Sequence, residues 1–269
     1  VKFGMSANVE IPEGPRLAAR ALKALEGKDL LLENEVAEHF GLRGMRIEDM
    51  DVDVMVTVGG DGTILRALMR NKAPIFGINA GDLGFLTEVT EEHIEEGIQR
   101  IIHNDFFLED RAKLMTKVNG RRVSDATNEA VVHTAHIAKI RHFEVLVDGE
   151  VAISVRADGI IVSTPTGSTC YAMSVGAPML DPRVDAMVIA PMAPFKFAAR
   201  PTVVPASSEI TLRLVRPKPC VVVVDGQEEI PMAGDEEVTF SASETKARFV
   251  RFSRSFYKRT REKLMGCPA

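Results

Sequence analysis

Val54-Met55-Val56-Thr57-Val58-Gly59-Gly60-Asp61-Gly62-Thr63-Ile64-Leu65-Arg66-Ala67 joins a β-branched run to a helix-favouring run through a glycine-rich turn. That order predicts a strand feeding a helix N-terminus, whose first backbone N–H groups have no intrahelical partner. Glycines there let the backbone approach a phosphate closely. Asp61 is the odd residue, because a carboxylate repels phosphate. It asks for a second reason, either accepting a proton from an attacking hydroxyl or helping to hold a metal. The competing reading is a surface turn in which Asp and Gly are only turn formers.

Outward from the turn, strands alternate with helices. Lys2–Ala7 reads as a strand, and Pro15 opens a helix with Leu17, Ala18, Ala21, Leu22 and Leu25 on one face. Leu30–Leu32 is a short buried strand, and Asn34 is expected to cap a helix ending before Gly41. Pro74–Asn79 is a further strand that runs into Asn79-Ala80-Gly81-Asp82-Leu83-Gly84-Phe85-Leu86. Thr90 is expected to cap a helix with Glu91 and Glu92 in its first turn. This grammar means a parallel sheet with flanking helices, and ligands should collect at the strand C-terminal ends.

Near Phe106 the pattern changes. Arg111–Thr134 and Ile137–Val155 alternate with period two, and Asn119-Gly120 and Asp148-Gly149 mark hairpins. Phe143, Val145 and Val147 are expected on one face, as are Val151, Ile153 and Val155. Further strands fall at 159–163, 187–190, 210–215, 221–224 and 248–252. This half is mostly β, in packed sheets. The expected organisation is an α/β domain over 1–105, a β-rich domain over 106–250, and a basic, helical tail over 251–269.

Composition narrows the function classes. The chain has 269 residues, 45% of them hydrophobic, and a formal charge of −5. With no basic cluster, nucleic acid is a poor partner. Cys170, Cys220 and Cys267 are widely spaced, without a Cys-x-x-Cys pair, which supports neither a structural zinc nor a disulfide framework. A reducing cytoplasm fits that usage. No apolar run nears the roughly 18 residues of a membrane span, and residues 1–20 do not read as a signal peptide.

Three stretches in the β half carry polar chemistry. Thr127-Asn128-Glu129-Ala130 sets an amide beside a carboxylate, although alone it reads better as a polar surface strand. Arg156-Ala157-Asp158-Gly159 leads into Ser163-Thr164-Pro165-Thr166-Gly167-Ser168-Thr169-Cys170-Tyr171. Its hydroxyls could serve a nucleobase or ribose, with Tyr171 stacking, or could simply cap a loop. Val224-Asp225-Gly226-Gln227 is most simply a hairpin turn.

Taken together and in this order, the chain resembles the NAD kinases. The motifs that carry the resemblance are Gly59–Thr63, the Gly77–Leu86 loop, Asn128-Glu129, Asp158-Gly159 with the Thr-Pro-Thr-Gly-Ser-Thr run, Arg200-Pro201 and Asp225-Gly226-Gln227. It covers about Met55 to Gln227. Lipid and sphingoid-base kinases share the Gly-Gly-Asp-Gly-Thr turn, so the Asn-Glu pair and the Thr/Ser run are the discriminating parts. Cys170, where alanine is common, and Lys196-Phe197-Ala198-Ala199 depart from the family wording.

The resemblance implies an N-terminal α/β domain, a C-terminal β domain with the site between them, and a homodimer or homotetramer. It implies transfer of the γ-phosphoryl of ATP, with Mg²⁺ carried on the donor phosphates, to the 2′-hydroxyl of NAD. Asp61 would be the base, and Gly59, Gly60, Gly62, Thr63 and Asn79 would hold the donor. Asp61, Gly62, Phe85, Asn128, Glu129, Asp158, Thr166, Thr169, Cys170, Tyr171, Ser174, Ala193 and Gln227 would contact the dinucleotide. The rival readings are a lipid kinase of the same superfamily and a non-catalytic dinucleotide sensor. The first lacks a basic amphipathic membrane segment before the tail. The second has no use for a carboxylate beside phosphates.

Overall fold

In a computed structural model of the chain, the described residues are 1–81, 84–136, 138–195, 199–254 and 256–265. Asp82-Leu83 of the second glycine loop, Lys196-Phe197-Ala198 and Cys267 lie outside them. The elements in chain order are β1 (Lys2–Ala7), α1 (Gly14–Ala24), β2 (Asp29–Leu32), α2 (Asn34–Phe40), β3 (Val54–Gly59), α3 (Asp61–Arg70), β4 (Ile75–Asn79) and α4 (Ile94–Ile102). The β-rich stretch follows with β5 (Phe107–Val118), β6 (Arg121–Arg122), β7 (Glu129–Thr134), β8 (Arg141–Val147), β9 (Glu150–Ala157), β10 (Gly159–Ser163) and α5 (Tyr171–Ser174). The chain closes with β11 (Ala186–Met192), β12 (Thr202–Pro205), β13 (Ile210–Leu214), β14 (Cys220–Val224), β15 (Glu228–Met232), β16 (Val238–Arg251) and α6 (Phe256–Met265).

The chain forms two compact units, Val1–Asp110 with Ala247–Ala269, and Arg111–Lys246. In the first, parallel strands run β2-β1-β3-β4, and the end of β16 adds beside β4 at Phe249↔Ile75. β3 is buried along its whole length, so its alternate side chains feed two cores. Val54, Val56 and Val58 pack with Leu17 and Ala21 of α1 and Ile94, Ile98 and Ile101 of α4. Met55 packs with Ile64, Leu65 and Leu68 of α3. A strand buried on both faces holds its C-terminal end rigidly, and that end carries the glycine turn.

In the second unit the antiparallel strands β12-β11-β10-β7-β14-β15 form one sheet. The first half of β16 pairs with β13, which continues to β8 and β9. Central β7 is fixed on both sides, by β10 (Glu129↔Ser163) and by β14 (Ala130↔Val224). This register brings the Asn-Glu pair, the Thr/Ser run and the Asp225 turn to one end of the sheet.

Several local expectations change. Asn34 is the first residue of α2 and makes no side-chain cap. After Thr90 comes a 3₁₀ turn, Glu91–His93, before α4 opens. The Thr90 hydroxyl donates to the Glu92 carboxylate (2.6 Å) instead of capping backbone. Within the Asp148-Gly149 hairpin the register skips Ala152, pairing Val145↔Ile153 and Leu146↔Val151. This bulge turns Val151 outward, to 53% exposure, so it does not share the buried face of Phe143, Val145 and Val155. The sequence reading also missed β12 and β15, whose charged or proline-containing runs lack clean alternation, and the first half of β16, although Val238-Thr239-Phe240-Ser241-Ala242 does alternate.

Candidate functional site

Asp61 is the first residue of α3. Its Oδ2 accepts the Phe85 backbone N–H (2.9 Å) and its Oδ1 that of Leu86 (3.0 Å). These two bonds fix the carboxylate against the second glycine loop. The fit is tight, for a Cβ on Gly84 would stand 2.3 Å from Asp61 Oδ1. At Gly59 a Cβ would meet Thr63 Oγ1 at 2.3 Å, so that glycine serves the turn's own packing. Gly60 and Gly62 differ, since a Cβ on either meets nothing within 4 Å. Intrachain crowding does not explain these two glycines.

Asn79 ends β4 opposite Gly59. Its Nδ2 donates to the Gly81 carbonyl (2.8 Å), while its Oδ1 is buried without a partner among the described residues. Phe85 is buried, and the Lys263 ammonium lies 4.2 Å from its ring centroid and 3.8 Å from Asp61 Oδ2. Behind the loop, Arg251 Nη1 donates to the Leu86 (3.0 Å) and Thr87 (3.2 Å) carbonyls and to Glu88 (2.9 Å). Arg259 also reaches Thr87 and Glu88.

In the second unit, Asn128 and Glu129 are both buried, which removes the surface-strand reading. The burial is made possible by Asp225. Its Oδ2 accepts from Thr127 N (2.6 Å), and its Oδ1 from Asn128 N (2.8 Å) and Glu129 N (3.1 Å). Asp225 and Gly226 both adopt positive φ, 49° and 66°, which folds the hairpin loop tightly enough to aim the carboxylate at that backbone. Burial pushes the Asp225 carboxyl up to about 6, against the pull of the three N–H bonds. Glu129 is pushed up to about 8, by burial first and then by the Asp225 charge.

The Thr/Ser run is mostly committed to its own loop. Thr164 Oγ1 donates to Thr127 O (2.6 Å), Ser168 Oγ to Pro165 O (2.7 Å) and Thr169 Oγ1 to Thr166 O (3.2 Å). Gly167 lies so close to Asn128 that a Cβ would stand 2.2 Å from its carbonyl oxygen. Asn128 Nδ2 donates to Cys170 Sγ (3.3 Å). Asn128 Oδ1 and Glu129 Oε2 are buried and have no hydrogen-bond partner among the described residues.

Glu129, Asp158 and Tyr171 line one cavity of about 560 Å³ in this unit. Tyr171 is 45% exposed, so its ring is available for stacking. Thr166 is buried, Ser174 Oγ donates to Tyr171 O (2.8 Å), Ala193 has positive φ (43°) and Gln227 is exposed in the hairpin loop. Val131 and His133 also line the cavity and were missed from the sequence. The signal was present, because residues 129, 131 and 133 share one face of a strand. Lys263 and the Glu88 arginine pair were missed as well, and no local pattern marks them.

Comparison with known proteins gives two family matches in succession along the chain. Residues 26–106 match the family description "ATP-NAD kinase N-terminal domain" and residues 127–252 match "ATP-NAD kinase C-terminal domain". An NAD kinase of Thermococcus kodakarensis is 43% identical over 267 residues, covering 96% of each chain. The crystal structure of an NAD kinase from Archaeoglobus fulgidus in complex with ATP is 30% identical, with TM-score 0.77, covering 98% of this chain and 96% of that one. The yeast NADH kinase complexed with NADH is 21% identical with TM-score 0.89, covering 100% of this chain and 88% of that one, a likeness of fold alone.

Proposed function

Because the chain belongs to the NAD kinase family and phosphorylates NAD to NADP, we propose that Asp61 is the general base of that transfer and that ATP is the donor. Asp61 would take the 2′ proton of the adenosine ribose as the 2′ oxygen bonds to the γ-phosphorus. The bond from that phosphorus to the β,γ-bridging oxygen breaks, and ADP leaves. Phosphoryl transfer is mostly positioning plus charge neutralisation, so one oriented base and many donors suffice. The observation that carries the assignment is the pair of backbone N–H bonds that hold the Asp61 carboxylate at the mouth of α3.

Gly60 and Gly62 are read as places where donor phosphates come close to bare backbone, joined by Gly59, Thr63 and Asn79 at the same strand ends. Asn128, Glu129, Asp158, Cys170 and Tyr171 are read as the dinucleotide-binding residues. Asn128 Oδ1 and Glu129 Oε2, buried and without a partner among the described residues, support this, since buried polar atoms normally find a partner. Among the described residues no group of three or more His, Cys, Asp or Glu side chains could hold a metal. A divalent ion is proposed, from the family resemblance, to enter on the donor's phosphates, where it would neutralise developing charge. The comparisons give no support to the lipid-kinase or sensor readings. Among the described residues no helix is long and apolar enough to cross a membrane.

The test is a coupled assay of purified protein with NAD, ATP and Mg²⁺, read by an NADP-specific dehydrogenase. The 2′-deoxy analogue of NAD should bind and accept no phosphate. Phosphorylation of that analogue would remove the 2′-hydroxyl, and with it the role given to Asp61. The homodimer or homotetramer, also proposed from the family resemblance, is tested by light scattering at assay concentration. The cytoplasmic placement proposed from the cysteine usage is tested by cell fractionation.

A further inference from the structure

The basic tail has a place in unit 1. Helix α6 is anchored by Arg259, which binds the Thr87 carbonyl and the Glu88 carboxylate, and by the buried Thr260. Lys263 lies four residues beyond Arg259, on the same helix face and one turn along. The anchor therefore determines where the lysine arrives. Its ammonium stands 3.8 Å from Asp61 Oδ2 and 4.2 Å from the Phe85 ring centroid. The first distance is longer than a hydrogen bond, so the ammonium is near the carboxylate without being locked to it.

Charge at this turn is unbalanced without such a group. Even with a divalent ion on its phosphates, a triphosphate brings net negative charge to a place that already holds a carboxylate. The α3 N-terminus offers only about half a positive charge against it. Other cations nearby in the unit have carboxylates of their own. Arg66 is bound by Glu33 (2.9 Å) and Glu35 (3.2 Å), and Arg251 by Glu88 (2.9 Å) and Glu109 (2.9 Å). Lys263 has a flexible four-carbon stem, three rotatable donors and a side chain 32% exposed.

We propose that Lys263 is a donor-phosphate ligand of the reaction, delivered to the glycine turn by the C-terminal helix and exchanging Asp61 for a phosphate oxygen when the triphosphate binds. This rests on reading the turn as the donor site. It extends the site to a segment that none of the sequence motifs includes.

The test compares Lys263→Met, Lys263→Arg and Asp61→Asn in the full-length protein. Lys263→Met should raise the KM for ATP roughly tenfold or more, as expected for loss of a charge-assisted bond. It should weaken inhibition by inorganic tripolyphosphate in parallel, and leave the KM for NAD within about twofold. Lys263→Arg should recover most of the ATP affinity. The melting temperature should hold, because methionine keeps the packing of the apolar stem and the ion pair it loses is a loose one at 3.8 Å. An unchanged ATP KM in Lys263→Met, beside an Asp61→Asn protein that has lost kcat, overturns the lysine's role and leaves the turn's reading intact. An Asp61→Asn protein with normal kcat overturns the reading of the turn itself. Equal losses in both KM values with a lowered melting temperature would make Lys263 structural, which also overturns the proposal.

Discussion

Asp225 holds Asn128 in place through the backbone, its Oδ1 accepting the Asn128 N–H at 2.8 Å across 97 residues of sequence. The same carboxylate takes the N–H groups of Thr127 and Glu129, so one side chain sets the path of three residues. A hairpin turn that looked local thus fixes the polar pair at the start of β7.

Asp225→Asn keeps the volume but puts an NH₂ group against at least one of those N–H donors. Each charged hydrogen bond lost costs about 1.5–3 kcal/mol. At about 2–4 °C per kcal/mol for a chain of this size, the melting temperature should fall by at least several degrees. The KM for NAD should rise with it, because residues 127–129 shift. Wild-type values for both would mean that the Asp225 bonds are dispensable.

Glu129 supplies a pH test. Its carboxyl stands at about 8 when folded, against an ordinary 4.5. The folded state therefore keeps a proton that the unfolded chain releases between those values. Stability falls as pH rises through that window and is lowest, for this group, above it. Glu129→Gln removes the titration, so the variant should gain on the wild type at pH 8.5 and match it more closely near pH 5. Melting curves of the ligand-free protein at the two pH values decide. An equal difference at both would show that Glu129 does not titrate in this range.

Asn128→Ala removes the amide that meets Cys170 Sγ and carries the unpartnered Oδ1. A hydrogen bond to a neutral partner is worth about 0.5–1.5 kcal/mol, so the KM for NAD should rise roughly three- to tenfold. The KM for ATP should move less. A shift confined to ATP would reverse the assignment of the two substrates.

Cys170 is half-buried against that amide, whereas Cys220 is buried. A bulky thiol reagent should label Cys170 in preference to Cys220, slow the reaction and be blocked by NAD. Peptide mapping identifies the labelled thiol, and Cys170→Ser should be active and resistant. Full activity after stoichiometric labelling of Cys170 would take it out of the site.

Asp61→Asn should lower kcat by on the order of 10²–10⁴, the usual contribution of a general base. The structure adds a cost, because the new NH₂ group must face the N–H of Phe85 or Leu86. A modest drop in melting temperature should accompany the loss of rate. NAD binding by calorimetry should change little, since the lost interaction belongs to the transition state. A folded variant with near-normal kcat would sink the base assignment.

The α/β and β-rich halves were legible in the sequence because their signals are local. A β-branched run ending in Gly-Gly-Asp-Gly-Thr reads as strand, turn and helix, and Asn119-Gly120 and Asp148-Gly149 announce hairpins through backbone preferences of the residues themselves. The family was legible for a similar reason, since its motifs are short and ordered along the chain. What Asp225, Glu88 and Lys263 do was not legible. Asp225 meets Asn128 across 97 residues, and Arg251 meets Glu88 across 163. Such bonds are set by strand register and helix docking, which emerge only when the cores close and bring distant backbone into hydrogen-bond range. The sequence by itself thus determined most of the elements, the turn and, through the family resemblance, the reaction class. Tertiary packing alone decided which carboxylate orients the Asn-Glu pair and which cation of the tail reaches Asp61, because burial forces each polar group to find the nearest partner in space, whatever its distance along the chain.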